Sequence, residues 1–437
     1  MTLRIACAAA LICVAALIGA ACAAPAPALT VTSAPTATAA PTVSPAPTAT
    51  TMPTAVPAPT ATPVARQLTI WVAEPAEAQS AIAAELQQAA QAGNFQLAII
   101  PRDPDGLLIS LATDRLLGLP PPDLIWADQE ALIGLLADQV LAPLDIQLPD
   151  DLLPGLRTLA SSNNTLWGAP ITAQDMLLLL YQLDRSPPAT AADLVAAAQA
   201  ARTSERAGFV QGWGAARWFA PWFYAAGGSF TNPDGTEPTL DTPAMTTTLT
   251  LLRDLYRATP RNGDSYARGQ RLLAKGFAAY AIDGDWAWAT YHAISDTFQI
   301  GIAPLPSFND NPARSLIGGS LLMRYRDGQA TPEDVMTLLA TLYQPEVQLR
   351  LSAALGRLPA RRELLTDASI QTDPVRAITA MQATDAPGLA PTPAARCAIF
   401  GVESYLYSAT TGDLPINEAP LRMQRAALAC LHQFVQP

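Results

Sequence analysis

The stretch DGDWAWATY, Asp283 to Tyr291, sets two tryptophans two residues apart directly behind the apolar run FAAYAI. In the first turn of a helix, Trp286 and Trp288 would point about 200° apart around the axis. They cannot both face one side, so one is expected in a cleft and the other in the core. Packing of both rings in the core is the alternative. A second aromatic group is GWGAARWFAPWFYAAGG, which brings Trp213, Trp218, Trp222 and Tyr224 close together; Trp222, inside an apolar run, reads as core. Rings of this size supply large contact area at little cost in side-chain entropy, so a cluster near a cleft suits binding of a small molecule. Chemistry of the catalytic kind finds little support. The two histidines, His292 and His432, form no metal motif with the cysteines, and no G-x-S-x-G, H-E-x-x-H or phosphate-binding loop occurs. The acids select no general acid–base pair, and neither a cofactor nor a metal is expected.

The elements that must position these residues alternate. RQLTIWVAEP opens with a strand at Leu68–Val72, AEAQSAIAAELQQAAQA has helical spacing, and FQLAIIP is a second strand. GLLISLATDRLLGLPPPDLIWAD gives a helix, a proline stop and a third strand ending near Trp126. Strands alternating with helices predict an α/β fold with a parallel sheet. Ligands of such sheets bind beyond the carboxyl ends of the strands, which singles out Glu74, Trp126, Asp128 and Gln129. Further on, LPDDLLPGLRTLA reads as a helix, Thr190 as the cap of a helix over AADLVAAAQAA, and TPAMTTTLTLLRDLYRA as a long helix. The segment from Ser265 to Trp288 reads as a helix, a turn at Gly276, a strand and the start of another helix.

Length and charge set the outer bounds. The chain has 437 residues, half of them apolar and 14% charged, enough for a large core in two lobes or domains. The formal net charge is -11 and Lys275 is the only lysine, which argues against nucleic-acid binding. The N-terminus looks like an export signal over residues 1–21, with Arg4 ahead of an apolar run. LIGAAC, ending at Cys22, resembles a bacterial lipobox with Gly19 in place of the usual leucine; ordinary signal cleavage near Ala21–Cys22–Ala23 is the alternative. Residues 22–66 then form a lipidated cysteine and a tether rich in alanine, proline and threonine, with a reach on the order of 100 Å. Export permits a disulfide between Cys397 and Cys430; two buried thiols are the alternative.

Six segments, in order from about Gln67 to the C-terminus, resemble the maltose-binding-protein-like family of extracellular solute-binding proteins, the receptors of ABC importers. They are LTIWVAEP, PPDLIWADQEALIGLLADQVLAPLD, LWGAPITAQDMLLLLYQLD, KGFAAYAIDGDWAW, IGIAPLPSFNDNPARSLIGGSLLM and YQPEVQLRLSAALGRLPARREL. The resemblance implies a type II periplasmic-binding-protein fold of two α/β lobes joined by a hinge. Lobe one would hold 67–172 plus 320–365 and lobe two 173–319 plus 366–437, with crossings near Pro170–Gln174, Ile317–Ser320 and Glu363–Asp367. It implies a monomer that binds a sugar and serves permease subunits from a lipid anchor on the outer face of the cytoplasmic membrane. A pyranose has apolar C–H faces and polar edges, so a tryptophan face and nearby carboxylates or amides would suit it. By the same resemblance Trp286 is the cleft ring and Trp288 core. Tyr266, nine residues before Lys275, matches a sugar-contacting tyrosine, and Arg217 and Trp218 fall near the aromatic cleft segment. Gln174, beside Asp175, stands where maltose binders carry a glutamate, and Ile399 where the family carries a further stacking tryptophan; both point away from maltose itself. A polyamine or peptide ligand on the same fold, or a glycan sensor without an importer, are the alternatives.

Overall fold

A computed structural model of the chain describes residues 66–93, 95–259, 265–295, 297 and 299–435. The expected signal segment, Cys22 and the tether as far as residue 65 lie outside the described residues, while Arg66, expected to end the tether, opens a strand. The strand Arg66–Ala73 buries Leu68, Ile70 and Val72 completely. It pairs in parallel with Phe95–Arg102 on one side and with Leu124–Asp128 on the other. Helix Ala76–Ala92 connects the first two of these strands, and its apolar stripe of Ile82, Leu86 and Ala89 is buried.

Within this sheet the expected parallel order covers only these three strands. Ser320–Tyr325 joins the same sheet antiparallel to Leu124–Asp128, and the short strands Leu141–Ala142 and Gly168–Pro170 pair antiparallel to it. The reason is connectivity. Ser320–Tyr325 enters after a second sheet has been built rather than through a strand–helix–strand crossover, which is what enforces parallel direction. The second sheet has the order Ala207–Val210, Ala278–Gly284, Leu177–Gln182, Ile300–Ala303, and only its first pair is parallel.

The run LLLL at Leu177–Leu180 shows why this second sheet is covered on both faces. Leu177 and Leu179 pack with Phe209, Phe219 and Trp222, whereas Leu178 and Leu180 pack with Val210, Leu273 and Tyr291. Successive side chains of a strand alternate faces, so an unbroken apolar run requires two cores. Core membership passes from the first sheet to the second between Met176 and Leu177 and returns between Leu316 and Ile317. It passes over again between Ala386 and Leu389. Helix Pro374–Ala383 touches both sides, with Ala380 and Ala383 in the first core and Val375 beside Leu178 and Tyr291. At the passages themselves, Gln174 pairs with Gly318, and Thr172–Ala173 pairs with Leu358–Pro359.

Local signals largely hold. Thr190 caps its helix by accepting from Asp193 N at 3.1 Å, and Gly276 turns with a φ of 76° before the strand Ala278–Gly284. The helix expected over LPDDLLPGLRTLA is shorter, Pro154–Ala160. Proline suits a first helical position, and the preceding Leu153 instead donates its backbone N–H to Ala360 O at 3.0 Å. Helices Pro393–Thr411 and Ala419–Val435 lie side by side and are joined by a disulfide between Cys397 and Cys430. All of these elements fall in one compact unit, Pro63–Pro437. Among the described residues no helix is long and apolar enough to cross a membrane.

Candidate ligand-binding site

The strand Ala278–Gly284 runs into a single 3-10 turn, Asp285–Ala287, and then helix Trp288–Ile294. The two tryptophans part as helical spacing requires. Trp286 is 40% exposed, while Trp288 is half-buried against the cluster that holds Ala287 and Tyr291. The Trp286 ring folds back over Gly284, where an added Cβ would lie 1.9 Å from ring atom Cζ3. Only glycine permits that approach. The indole Nε1 donates to Tyr266 Oη at 3.0 Å. Trp218 stands edge-on to both rings, at 5.2 Å from Tyr266 and 6.0 Å from Trp286, and its own Nε1 donates to Ile282 O at 2.8 Å. Arg217, the preceding residue on helix Ala216–Ala225, also reaches the Trp286 ring, from a different side than Trp218, since neighbours on a helix diverge by about 100°. Its guanidinium lies 5.7 Å from the Trp286 ring centroid.

Carboxylates and amides from both sheets meet beside this aromatic wall. Asp128 ends the strand Leu124–Asp128 and caps the helix Gln129–Ala137, accepting from Ala131 N at 2.9 Å. Gln129 accepts from Gly319 N at 2.9 Å and donates to Asp175 Oδ2 at 3.2 Å. Asp175 sits at a φ of 66°, and a Cβ on Gly318 would lie 2.3 Å from its Oδ2, so Gly318 leaves room for that carboxylate. Arg217 donates to Asp175 O at 3.1 Å and reaches Glu130 Oε1 at 3.4 Å. Asp285 is fixed by its backbone N–H on Met176 O at 3.0 Å. Burial pushes the Asp128 carboxyl up to about 6, with Glu130, Asp175 and Glu74 adding to the effect. Burial also pushes Asp285 up to about 7; Asp175 adds to this and Arg217 opposes it. The result is an aromatic face bordered by carboxylates, amides and one guanidinium, a set that can pack an apolar surface while taking up hydroxyl or amine groups along its edge.

Two expected contacts belong elsewhere. Trp126 is 0% exposed, and its Nε1 donates to Glu74 Oε1 at 3.0 Å. Glu74 is itself buried and receives Arg357 Nη1 at 3.0 Å on Oε1 and Nη2 at 2.8 Å on Oε2, together with the Ser320 hydroxyl. Glu74 and Trp126 are committed to each other and to Arg357, so the expectation that they hold ligand is corrected: they brace the first sheet. Gln174 remains half-exposed at the passage between the cores, its Oε1 3.4 Å from both Thr172 Oγ1 and Ser320 Oγ. The structure thus gathers Asp128, Gln129, Asp175, Arg217, Trp218, Tyr266 and Trp286, with Gln174 alongside. Sequence reasoning missed Glu130, Asp285 and Gly284. The last two lie within DGDWAW, where a glycine two residues before an exposed tryptophan is the readable signal. Among the described residues no group of three or more His, Cys, Asp or Glu side chains is arranged to hold a metal ion.

Two sheets with separate cores, repeated chain passages and a half-exposed aromatic wall at their border define a two-lobed solute-binding fold. Residues 112–378 match the profile of the bacterial extracellular solute-binding proteins, and the chain belongs to that family. Solved structures share the fold. The maltose-binding protein MalE of Listeria monocytogenes, in complex with maltose, superposes with a TM-score of 0.75 at 18% identity, over 85% of this chain and 99% of that one. The cyclic alpha-maltosyl-1,6-maltose binding protein of Arthrobacter globiformis gives 0.73 at 20% identity, over 85% and 100%. The GacH receptor of Streptomyces glaucescens, solved unliganded and with acarbose, gives 0.69 at 18% identity, over 84% and 99%.

Proposed function

We propose that this solute-binding protein is the receptor of an ABC importer and takes a sugar or oligosaccharide between two lobes for delivery to permease subunits. The lobes are 67–172 with 320–365 and 173–319 with 366–437, the helix Pro374–Ala383 packing on both. The observation that carries the reading is the exposed Trp286 ring, anchored at its N–H and backed by Gly284, beside Asp128, Asp175 and Asp285. A stacked ring and paired hydrogen bonds suffice for micromolar affinity, about 8 kcal/mol. The ligands of the similar solved proteins, maltose among them, support a sugar. Gln174 and Ile399, at positions where maltose binders differ, support one other than maltose. Cys22 carries the lipid that anchors the exported chain to the outer face of the cytoplasmic membrane, and residues 23–65 act as its tether.

Carboxylates outnumber the one arginine at the site, which favours a polyamine as the second reading. A thermal-unfolding screen of residues 63–437 against mono- and oligosaccharides, polyamines and peptides separates the two. A ligand at 100 times its Kd stabilises the fold by about 2.7 kcal/mol. A sugar-induced shift that disappears in Trp286→Ala supports the sugar reading. A shift with polyamine or peptide alone overturns it.

A further inference from the structure

Behind the Trp286 wall, the strand Ala278–Gly284 places a carboxylate in the protein interior. Asp283 is 1% exposed, yet both its oxygens are filled. Oδ1 accepts the Tyr266 hydroxyl at 2.7 Å and Gly284 N at 2.8 Å. Oδ2 accepts the Tyr291 hydroxyl at 2.7 Å and Gln270 Nε2 at 3.1 Å. Burial pushes this carboxyl above its ordinary range, and the four donors act against that.

The Tyr266 hydroxyl has one proton and two lone pairs. Its proton goes to Asp283. Its lone pairs receive Gln270 Nε2 at 2.9 Å and Trp286 Nε1 at 3.0 Å. Nothing on that hydroxyl is left to meet a ligand. Burial and the Asp283 charge hold the phenol well above its usual range, so the proton stays in place.

We propose that Asp283 is a positioning residue for solute binding: by taking the Tyr266 proton it aims the phenol lone pairs at the Trp286 N–H, and so fixes the indole plane that meets the ligand. The inference rests on the binding role of Trp286 proposed above. It also reassigns Tyr266, which acts through Trp286 instead of contacting sugar with its hydroxyl. The need for such a device is physical. A half-exposed indole has little packing on its outer side, and a ring held in one orientation before the ligand arrives loses less entropy on binding.

The test needs no ligand. Residues 63–437, carrying indole-15N tryptophan, give one N–H signal per ring, and Trp286→Phe identifies the signal of interest. In Tyr266→Phe, which keeps the ring against Trp218, the Trp286 N–H moves upfield and exchanges with solvent about fivefold faster, the factor of one ordinary hydrogen bond. The distant Trp126 and Trp213 signals stay where they are. A folded Asp283→Leu produces the same displacement, because the phenol proton loses its acceptor and the lone pairs are no longer held toward the indole. An unmoved Trp286 signal in Tyr266→Phe overturns the inference, and an unmoved signal in folded Asp283→Leu overturns the part given to Asp283. Should Asp283→Leu fail to fold, the unmodified chain decides. A slowly exchanging, downfield hydroxyl proton that vanishes in Tyr266→Phe supports donation to the carboxylate, and its absence refutes it. A displaced indole in a chain that binds no sugar overturns the sugar reading and leaves the positioning network standing.

Discussion

Each sheet carries a tryptophan and a carboxylate close to the end of a strand, and the two pairs do different work. In the first sheet the Trp126 N–H meets Glu74, Arg357 neutralises the charge, and the indole is wholly enclosed. In the second sheet the Trp286 N–H meets Tyr266, whose proton goes to Asp283, and one part of the ring stays in solvent. Asp283 is surrounded by neutral donors. The first arrangement saturates every group inward and braces the lobe. The second saturates only the polar end of the indole and leaves apolar surface for a partner. Residue type and strand-end position therefore do not separate the two pairs; the unfilled ring face does.

The sharpest way to break this contrast is Arg357→Ala. It leaves Glu74 buried without its counter-charge and is expected to cost about 3–5 kcal/mol, read from the denaturant midpoint. A loss below about 1 kcal/mol would mean that the first cluster is not structural. Next is Trp286→Ala, expected to weaken solute binding by about 2 kcal/mol or more, roughly thirtyfold, in calorimetric titration. Its unfolding free energy should change by less than about 1 kcal/mol, since the ring is half-exposed. Equal losses in binding and stability would merge the two regions into one structural class.

The pH response is smaller. Asp128 and Asp285 have folded-state values of about 6 and about 7, above the usual carboxylate range, so the folded chain holds protons that the unfolded chain releases. Their contribution to stability is then fully present below about pH 4 and is lost as pH rises through those values, by on the order of 1–2 kcal/mol after allowance for solvent screening. Chemical denaturation at pH 5 and pH 8 measures the fall, and Asp285→Asn should flatten its upper part. Smallest of all is Glu130→Gln. Its side chain is 74% exposed where it meets Arg217, and removing that pair should change stability by less than about 0.5 kcal/mol.

Much of this was legible in the chain. Helical spacing separated Trp286 from Trp288, the apolar stripe of Ala76–Ala92 marked its helix, and Thr190 announced a cap. The ordered segments from LTIWVAEP to GRLPARREL pointed to the family. The expected sites Glu74 and Trp126 were misread because their partner, Arg357, lies 283 residues from Glu74. Tyr266 was singled out only by its spacing to Lys275; that it meets Trp286, and that its hydroxyl points to Asp283, depends on a contact the sequence shows only as one more acid in DGDWAW.

By itself, the sequence determined which segments become strands and helices, where proline and glycine interrupt them, and which aromatic rings stand at their ends. Those properties follow from residues within a few turns of one another. Only the tertiary structure decided that Ser320–Tyr325 runs antiparallel in the first sheet, that Trp126 is closed off, and that Trp286 stays open. Whether a strand-end group keeps a face to solvent depends on which distant element packs over it, and no local periodicity encodes that partner.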